Sequence, residues 1–268
     1  MWLGGLGLAL AALSIWARDL SWVAAPADTL PLALGLPLAY LLGKPWQPGD
    51  AAFSGPERLL VALGAAGFVC GWVLGCLSLL AVSWTLLSML WASWSFVRRP
   101  RRGRLGCLLV LSFPWLVIEW QSIGWAFRLS SATLAEQVFG FLQMPTLREG
   151  TRIEVMGVPI AVDAACAGWN LLQLTLLAGV AFGTHEIRPA RRFALFLCLL
   201  PAIAWLANLL RILTLAGIAL SFDVQVASGV IHGLTGLTVL GAVLAMTKGL
   251  CFLLNPPPPI TSKILSAS

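Results

Sequence analysis

The chain has 268 residues, of which 59% are hydrophobic and only 10% are charged, and its mean hydropathy is +0.89. A soluble domain carries about 25% charged residues, so this composition excludes a water-soluble fold around one buried core. The formal net charge of +6 could indicate a nucleic-acid partner, but the arginines cluster in short segments between apolar runs, as in membrane proteins. The composition predicts a polytopic membrane protein that contacts lipid and needs no nucleic acid.

Long apolar runs are predicted to be helices, because a helix crosses the hydrocarbon with about 20 residues and satisfies its own backbone hydrogen bonds there. About eight such segments occur in the sequence: Trp2–Ala17, Trp22–Leu42, Leu59–Cys76, Leu79–Val97, Leu105–Phe127, Gly168–Gly183, Phe193–Leu220 and Gly229–Leu254. The run Leu59–Val97 is split near Cys76–Ser78, since one continuous helix would extend about 58 Å, nearly twice the hydrocarbon thickness. We therefore predict an all-α transmembrane bundle over residues 1–254.

Two arginine-rich segments predict the orientation of this bundle. Arg98–Arg104 contains five arginines and His185–Arg192 contains three, and such segments stay in the cytoplasm. Two predicted helices separate them, so the segment Arg128–Ala167 is expected on the extracytoplasmic side. Within it, Ser131–Phe141 has the pattern of an interfacial helix, and Thr151–Val162 has the pattern of a short hairpin. The prediction is a multi-pass protein of the inner (cytoplasmic) cell membrane with a structured extracytoplasmic loop at 128–167.

The remaining segments add few functional constraints. The run Leu3–Trp16 is interpreted as a retained helix, because a convincing signal-peptide cleavage site is missing. The tail 255–268 contains four consecutive prolines and is expected to be an extended cytoplasmic end. Five of the six cysteines lie in apolar stretches and are interpreted as small hydrophobic residues: Cys70, Cys76, Cys107, Cys198 and Cys251.

Three polar residues are expected to meet near the extracytoplasmic face. Cys166 directly precedes the predicted helix that begins at Gly168, and His232 lies near the start of the last predicted helix. Arg211 lies about 27 Å along the helix that enters near Phe193, almost the whole hydrocarbon thickness. Each has a structural alternative, because a cysteine can be packing material, an arginine can snorkel to the interface and a histidine can be structural. Their convergence favours a functional site.

Such a trio supports acyl transfer. A thiolate, favoured at a helix N-terminus, attacks a peptide carbonyl; an imidazole raises the thiolate fraction and later protonates the leaving amine; a guanidinium stabilises the oxyanion. Asn208 lies three residues before Arg211 on the same helical face and could orient the guanidinium or the substrate. Glu119 is a further candidate, because a carboxylate within a membrane helix is functional by default, although it could also simply be protonated. His185 belongs to an arginine-rich segment and is excluded from the site.

Three short motifs occur in this order: Ala165-Cys166-Ala167-Gly168 at an outer helix start, Asn208-Leu209-Leu210-Arg211 late in the next helix, and His232 at the start of the last helix. The pattern resembles the exosortase/archaeosortase family of polytopic membrane transpeptidases, over roughly Leu105 to Leu254. The resemblance implies that Cys166 is the nucleophile, Arg211 the oxyanion-binding or substrate-orienting group and His232 the acid/base.

The resemblance also implies the substrates: exported proteins whose C-terminal sorting tail consists of a short motif, a membrane helix and a basic cluster. The enzyme is then a membrane cysteine protease/transpeptidase that cleaves before the tail helix and passes the acyl group to a cell-envelope acceptor. We expect the tail helix to pack laterally on small residues of the bundle, namely Gly179, Gly217, Gly233 and Gly236. No cofactor and no metal is predicted, and the recognition motif, the acceptor and the oligomeric state stay open.

Two alternatives belong to other classes. One is a transporter or carrier whose anion path is lined by Arg211, Glu119 and Asn208; it gives the cysteine no role, and no inverted repeat is visible. The other is an intramembrane serine protease that uses Ser228 and His232, whose four-residue spacing puts both on one helix. The Gly-x-Ser approach that such a nucleophile usually has is missing.

Overall fold

The computed structural model describes residues 2–17, 23, 26–44, 54–95, 102–112, 121–161, 169–222 and 230–255. These residues form nine helices and three strands: α1 Trp2–Trp16, α2 Pro26–Gly43, α3 Gly55–Leu74, α4 Leu77–Ser95, α5 Arg102–Ser112, α6 Gln121–Phe141, β1 Thr146–Glu149, β2 Arg152–Val155, β3 Val158–Ala161, α7 Trp169–Glu186, α8 Ala190–Ser221 and α9 Val230–Leu254. Of the described helices, α3, α8 and α9 are long and apolar enough to cross a membrane. The predicted all-α polytopic membrane fold is confirmed.

The predicted helix boundary at Phe127 is wrong, because α6 continues through it without interruption from Gln121 to Phe141. The segment predicted as a separate interfacial helix is the second half of α6. Polar residues near the expected boundary bond back to their own helix: the Ser131 hydroxyl donates to Phe127 O at 2.9 Å and the Thr133 hydroxyl to Leu129 O at 2.9 Å. Serine and threonine can therefore enter a helix without ending it, so polarity here does not mark a helix end.

The predicted split between α3 and α4 is confirmed, with the turn at Gly75, slightly earlier than expected. Gly75 has φ +68°, the left-handed conformation that ends many helices. The glycines of α3 let the two backbones approach closely, since a Cβ at Gly71 would lie 3.0 Å from the backbone N of Leu80. A Cβ at Gly64 would lie 3.0 Å from the Leu87 side chain. These contacts make the glycine-bearing face of α3 a packing surface for α4.

The described residues of both arginine-rich segments adjoin the same end of the bundle, here called the arginine end. Arg104 of α5 donates to Ile187 O at 2.6 Å and to Arg188 O at 3.0 Å, just beyond the last turn of α7. Asn255, which follows α9, donates to Glu186 O at 2.7 Å. These bonds hold the start of α5 and the ends of α7 and α9 together.

The three strands form an antiparallel sheet in the order β1-β2-β3, so the predicted hairpin is confirmed and gains a third strand. The β2–β3 turn consists of Met156 and Gly157, both with positive φ (53° and 80°), as a two-residue type I′ turn requires. Ile153 and Val155 of β2 are buried against α6 and the second half of α8, where they meet Phe139. The sheet therefore lies at the far end of α8, here called the sheet end.

Candidate active site

The last three helices, α7, α8 and α9, run in alternating directions, so the helix ends that carry the predicted site residues lie at one end of the bundle. Helix α8 begins at the arginine end, because Arg192 in its first turn donates to Leu254 O, the last residue of α9, at 3.2 Å. Helix α7 also ends there, so the first turns of α7 and α9 and the last turns of α8 lie at the sheet end. Arg211 follows Ala190 by 21 residues, a rise of about 32 Å.

The contacts between α7 and α8 define their antiparallel register. A Cβ at Gly179 would collide with Leu200, and a Cβ at Gly183 would lie 3.2 Å from Phe196. A step of four residues forward in α7, from Gly179 to Gly183, thus corresponds to a step of four residues backward in α8, from Leu200 to Phe196. Continued at the same helical rise, this register puts Asn208 opposite the first turn of α7.

Arg211 lies half-buried against α9. A Cβ at Gly236 would lie 3.6 Å from its Nη2 atom and 3.9 Å from its Cζ atom. Gly236 follows His232 by four residues, and residues four apart share one face of a helix. The guanidinium therefore contacts the face of α9 that carries His232, one turn further from its start.

Asn208 is fully buried, and neither its Nδ2 nor its Oδ1 atom has a hydrogen-bond partner within the described residues. Helical geometry puts it between two faces of α8. One face packs on α7 through Phe196 and Leu200, and the other packs on the sheet and α6 through Ile212 and Ala216. The amide therefore lies near the corner between β3 and α7, the two elements that flank residues 162–168.

The predicted site residues differ in how far the structure describes them. Arg211 and Asn208 are described with their side chains, and His232 only as part of the α9 helix. Cys166, Glu119 and Ser228 lie outside the described residues, so their place in a site stays a prediction. The exclusion of His185 agrees with its exposed position in the last turn of α7.

Comparison with family models gives the decisive observation. The model described as transmembrane exosortase (Exosortase_EpsH) matches residues 2–249. The chain belongs to the transmembrane exosortase family. Comparisons with curated proteins and with solved structures gave no match. Membership of the exosortase family supports a role in processing sorting signals on protein substrates, and it favours this function over the carrier hypothesis.

One expectation about the bundle surface of this exosortase is wrong. Gly179 cannot receive a substrate helix, because it is buried against Leu200 inside the α7–α8 interface. Gly236 is partly covered by Arg211. Gly217 and Gly233, in contrast, are exposed, and a Cβ at either position would meet no atom within 4 Å.

Gln173 is a polar residue that sequence reasoning missed. It is 1% exposed, and its Nε2 atom donates to Leu111 O in the last turn of α5 at 2.8 Å. A buried side-chain amide needs a hydrogen-bond partner inside the protein, because no water reaches it in lipid. An amide side chain inside an apolar run was the available signal, but nothing in the sequence indicates which carbonyl it meets.

Proposed function

We propose that this exosortase is a cysteine transpeptidase that cleaves C-terminal sorting tails of exported proteins and transfers the acyl group to a cell-envelope acceptor. Cys166 is the nucleophile, His232 the acid/base and Arg211 the group that binds the oxyanion or orients the substrate. The observation that carries the proposal is the position of the Arg211 guanidinium on α9, one helical turn from His232. Family membership supports the general reaction.

Covalent geometry supports a role for Cys166 in the same pocket. Cys166 precedes Trp169, the first residue of α7, by three residues, and three peptide units span at most about 11 Å. The α7–α8 register puts the first turn of α7 next to Asn208, three residues from Arg211. The chain length between Cys166 and α7 therefore allows Cys166 to reach the same turns of α8.

The proposed reaction has two acyl-transfer steps. The Cys166 sulfur attacks the scissile carbonyl carbon, the C–S bond forms, and Arg211 stabilises the resulting oxyanion. The C–N bond then breaks, protonated His232 gives its proton to the leaving amine, and the tail departs. An acceptor amine or hydroxyl loses its proton to His232 as it attacks the thioester, and the thiolate leaves. Water in place of the acceptor would give hydrolysis.

Substrate binding is proposed to use two further groups and one surface. Asn208 Nδ2 donates to the carbonyl oxygen under attack, and this bond offsets the free energy of burying an unpaired amide. Glu119 is the second group. A carboxylate within a membrane helix is expected to have a polar partner, and we propose that this partner is part of the substrate. The tail helix packs against the exposed glycines Gly217 and Gly233, which permit close approach of another helix. This arrangement keeps the basic cluster of the tail at the arginine end, on the cytoplasmic side.

The nucleophile is tested by replacing the chromosomal gene with a Cys166→Ala variant in the cell that makes the protein. Mass spectrometry of C-terminal peptides from exported proteins then reports whether tails are removed. We expect full-length tails to accumulate, because an alanine side chain cannot form the thioester. Cys198→Ala is the matched control, since Cys198 is an exposed cysteine of α8 and its loss should leave processing normal. Complete tail removal by Cys166→Ala would end the proposal.

A further inference from the structure

A cavity of about 360 Å³ with mostly apolar walls lies between α1, α2, α4 and α5. Its floor is buried, since Ser88 of α4 and Leu105 of α5 line it and are each 7% exposed. Its rim is exposed and belongs to Ala9 of α1 and to Leu36 and Tyr40 of α2. The mouth of the cavity therefore lies between α1 and α2.

The surroundings of this mouth are hydrocarbon when the bundle lies in a membrane. Next to the cavity wall, α1 turns a row of exposed leucines outward, at spacings of three and four residues: Leu3, Leu6, Leu10 and Leu13. Residues at these spacings share one face of a helix, and an exposed apolar face on a helix of a membrane bundle contacts acyl chains. An occupant of the cavity therefore enters from the lipid.

Two aromatic residues indicate how deep the cavity lies in the membrane. Tyr40 lies three residues before the end of α2 and Trp91 four residues before the end of α4, and both line the cavity. Tryptophan and tyrosine are enriched at the level of the lipid headgroups. Ser88 precedes Trp91 by three residues and so lies about 4.5 Å deeper. This is the depth at which ester groups join the headgroup of a lipid to its acyl chains.

The Ser88 hydroxyl has no hydrogen-bond partner in the described part of the chain. Comparable hydroxyls bond back to their own helices: Thr85 Oγ1 donates to Ala81 O and Ser112 Oγ to Leu108 O, both at 2.7 Å. A buried hydroxyl without a partner is unfavourable, and a buried water needs two to four polar partners, which these apolar walls do not offer. Ser88 therefore indicates a largely apolar ligand that carries an acceptor.

We propose that this cavity binds one acyl chain of an ester-linked membrane lipid and recognises its ester carbonyl. The chain enters between α1 and α2 and fills the apolar space, and the carbonyl oxygen accepts a hydrogen bond from Ser88 Oγ. The headgroup stays outside, at the level of Tyr40 and Trp91. A lipid without the carbonyl would leave the Ser88 hydroxyl unpaired. The bound chain fills the gap between α1 and α2 and thereby completes this side of the bundle.

The proposal is tested by native mass spectrometry of the full chain in detergent. The protein is titrated with dioleoyl phosphatidylcholine or with its ether analogue, which has the same chains and headgroup and lacks the ester carbonyls. We expect the ester lipid to reach half-saturation at a concentration about fivefold lower, as one hydrogen bond between neutral groups predicts. Ser88→Ala should bind the two lipids equally. Ser83→Ala is the matched control, since Ser83 is a buried serine of the same helix that faces Gly67 of α3, and it should keep the preference.

A second pair of variants tests the space itself. Ala92→Phe fills the cavity and should raise the half-saturating concentration of both lipids at least tenfold. Ala65→Phe adds the same side chain at an exposed position of α3 and should bind like the wild type. Equal binding of the two lipids by the wild type, a preference that persists in Ser88→Ala, or wild-type binding by Ala92→Phe would each overturn the proposal. If Ala92→Phe does not fold, the comparison of Ser88→Ala with Ser83→Ala decides alone.

Discussion

Asn208 and Arg211 both carry side chains whose placement in a membrane helix is unfavourable in free energy. An arginine in the hydrocarbon costs about 2.5–3.5 kcal/mol even on the mildest scale, and a buried amide without a partner costs about 1–3 kcal/mol. The two lie one turn apart on α8, and in the described structure Asn208 makes no hydrogen bond that would offset its cost. A bound acyl oxygen would accept a hydrogen bond from the Asn208 amide, which is why we propose that Asn208, with Arg211 one turn away, binds the substrate.

Asn208→Leu tests this assignment with two reactions of the same thiol. Acylation of Cys166 by 4-nitrophenyl acetate passes through an oxyanion, whereas alkylation by iodoacetamide does not. Loss of one oxyanion donor should slow acylation about 10²–10³-fold and leave alkylation unchanged. Both rates are measured on the purified full chain by mass spectrometry of the peptide that contains Cys166.

Asn255→Leu is the matched control, because the Asn255 amide binds Glu186 O at the opposite end of the bundle. Both rates should stay at the wild-type value in this variant. If Asn208→Leu slows the two reactions equally, Asn208 positions the thiolate and does not bind the oxyanion. That result would leave the role of Cys166 intact.

At the scale of elements, the sheet holds one flank of the segment that carries Cys166. Ile153 and Val155 are 0% exposed and pack against α6 and α8, and Arg148 Nε bonds Glu136 Oε2 of α6 at 2.5 Å. Strand β3 then leads through residues 162–168 into α7. Because both flanks are held by packing, loosening the sheet should affect the site without touching any catalytic residue.

Ile153→Ala should lower the free energy of unfolding of this region by about 2–5 kcal/mol, as expected when a buried aliphatic side chain leaves a cavity. Hydrogen exchange of the amides in β2 and β3 measures the loss, and acylation of Cys166 should slow in parallel. Leu147→Ala is the control, since Leu147 on β1 is 69% exposed and its truncation leaves no cavity. Unchanged exchange in Ile153→Ala would show that the sheet is not anchored by this contact.

At the scale of the whole molecule, the arginine end and the sheet end must face opposite sides of the membrane. The positive-inside rule predicts that the arginine end lies in the cytoplasm. In a variant without its native cysteines, a membrane-impermeant maleimide should label Glu149→Cys in intact cells. Arg191→Cys should react only after the cells are permeabilised. Both positions are exposed, so accessibility within the protein does not bias the comparison, and labelling of Arg191→Cys in intact cells would reverse the orientation.

The sequence by itself determined the membrane class, most helix spans and the motifs that indicate the family. Apolar length is a local property, since the free energy of transfer to lipid is nearly a sum over neighbouring residues. The spans of α1, α8 and α9 agree with their predicted ranges within a few residues. The boundary at Phe127 failed because the hydroxyls of nearby residues bond within the helix, and local polarity alone carries no information about that choice.

Tertiary structure alone decided which residues meet. Gln173 bonds Leu111 across 62 positions of sequence, and Arg104 bonds Ile187 across 83; no periodicity or composition identifies such pairs. The same holds for the position of Arg211 beside Gly236 and for the unpaired amide of Asn208. The physical reason is that hydropathy places each helix in the membrane, whereas the neighbours of each side chain depend on how the helices pack.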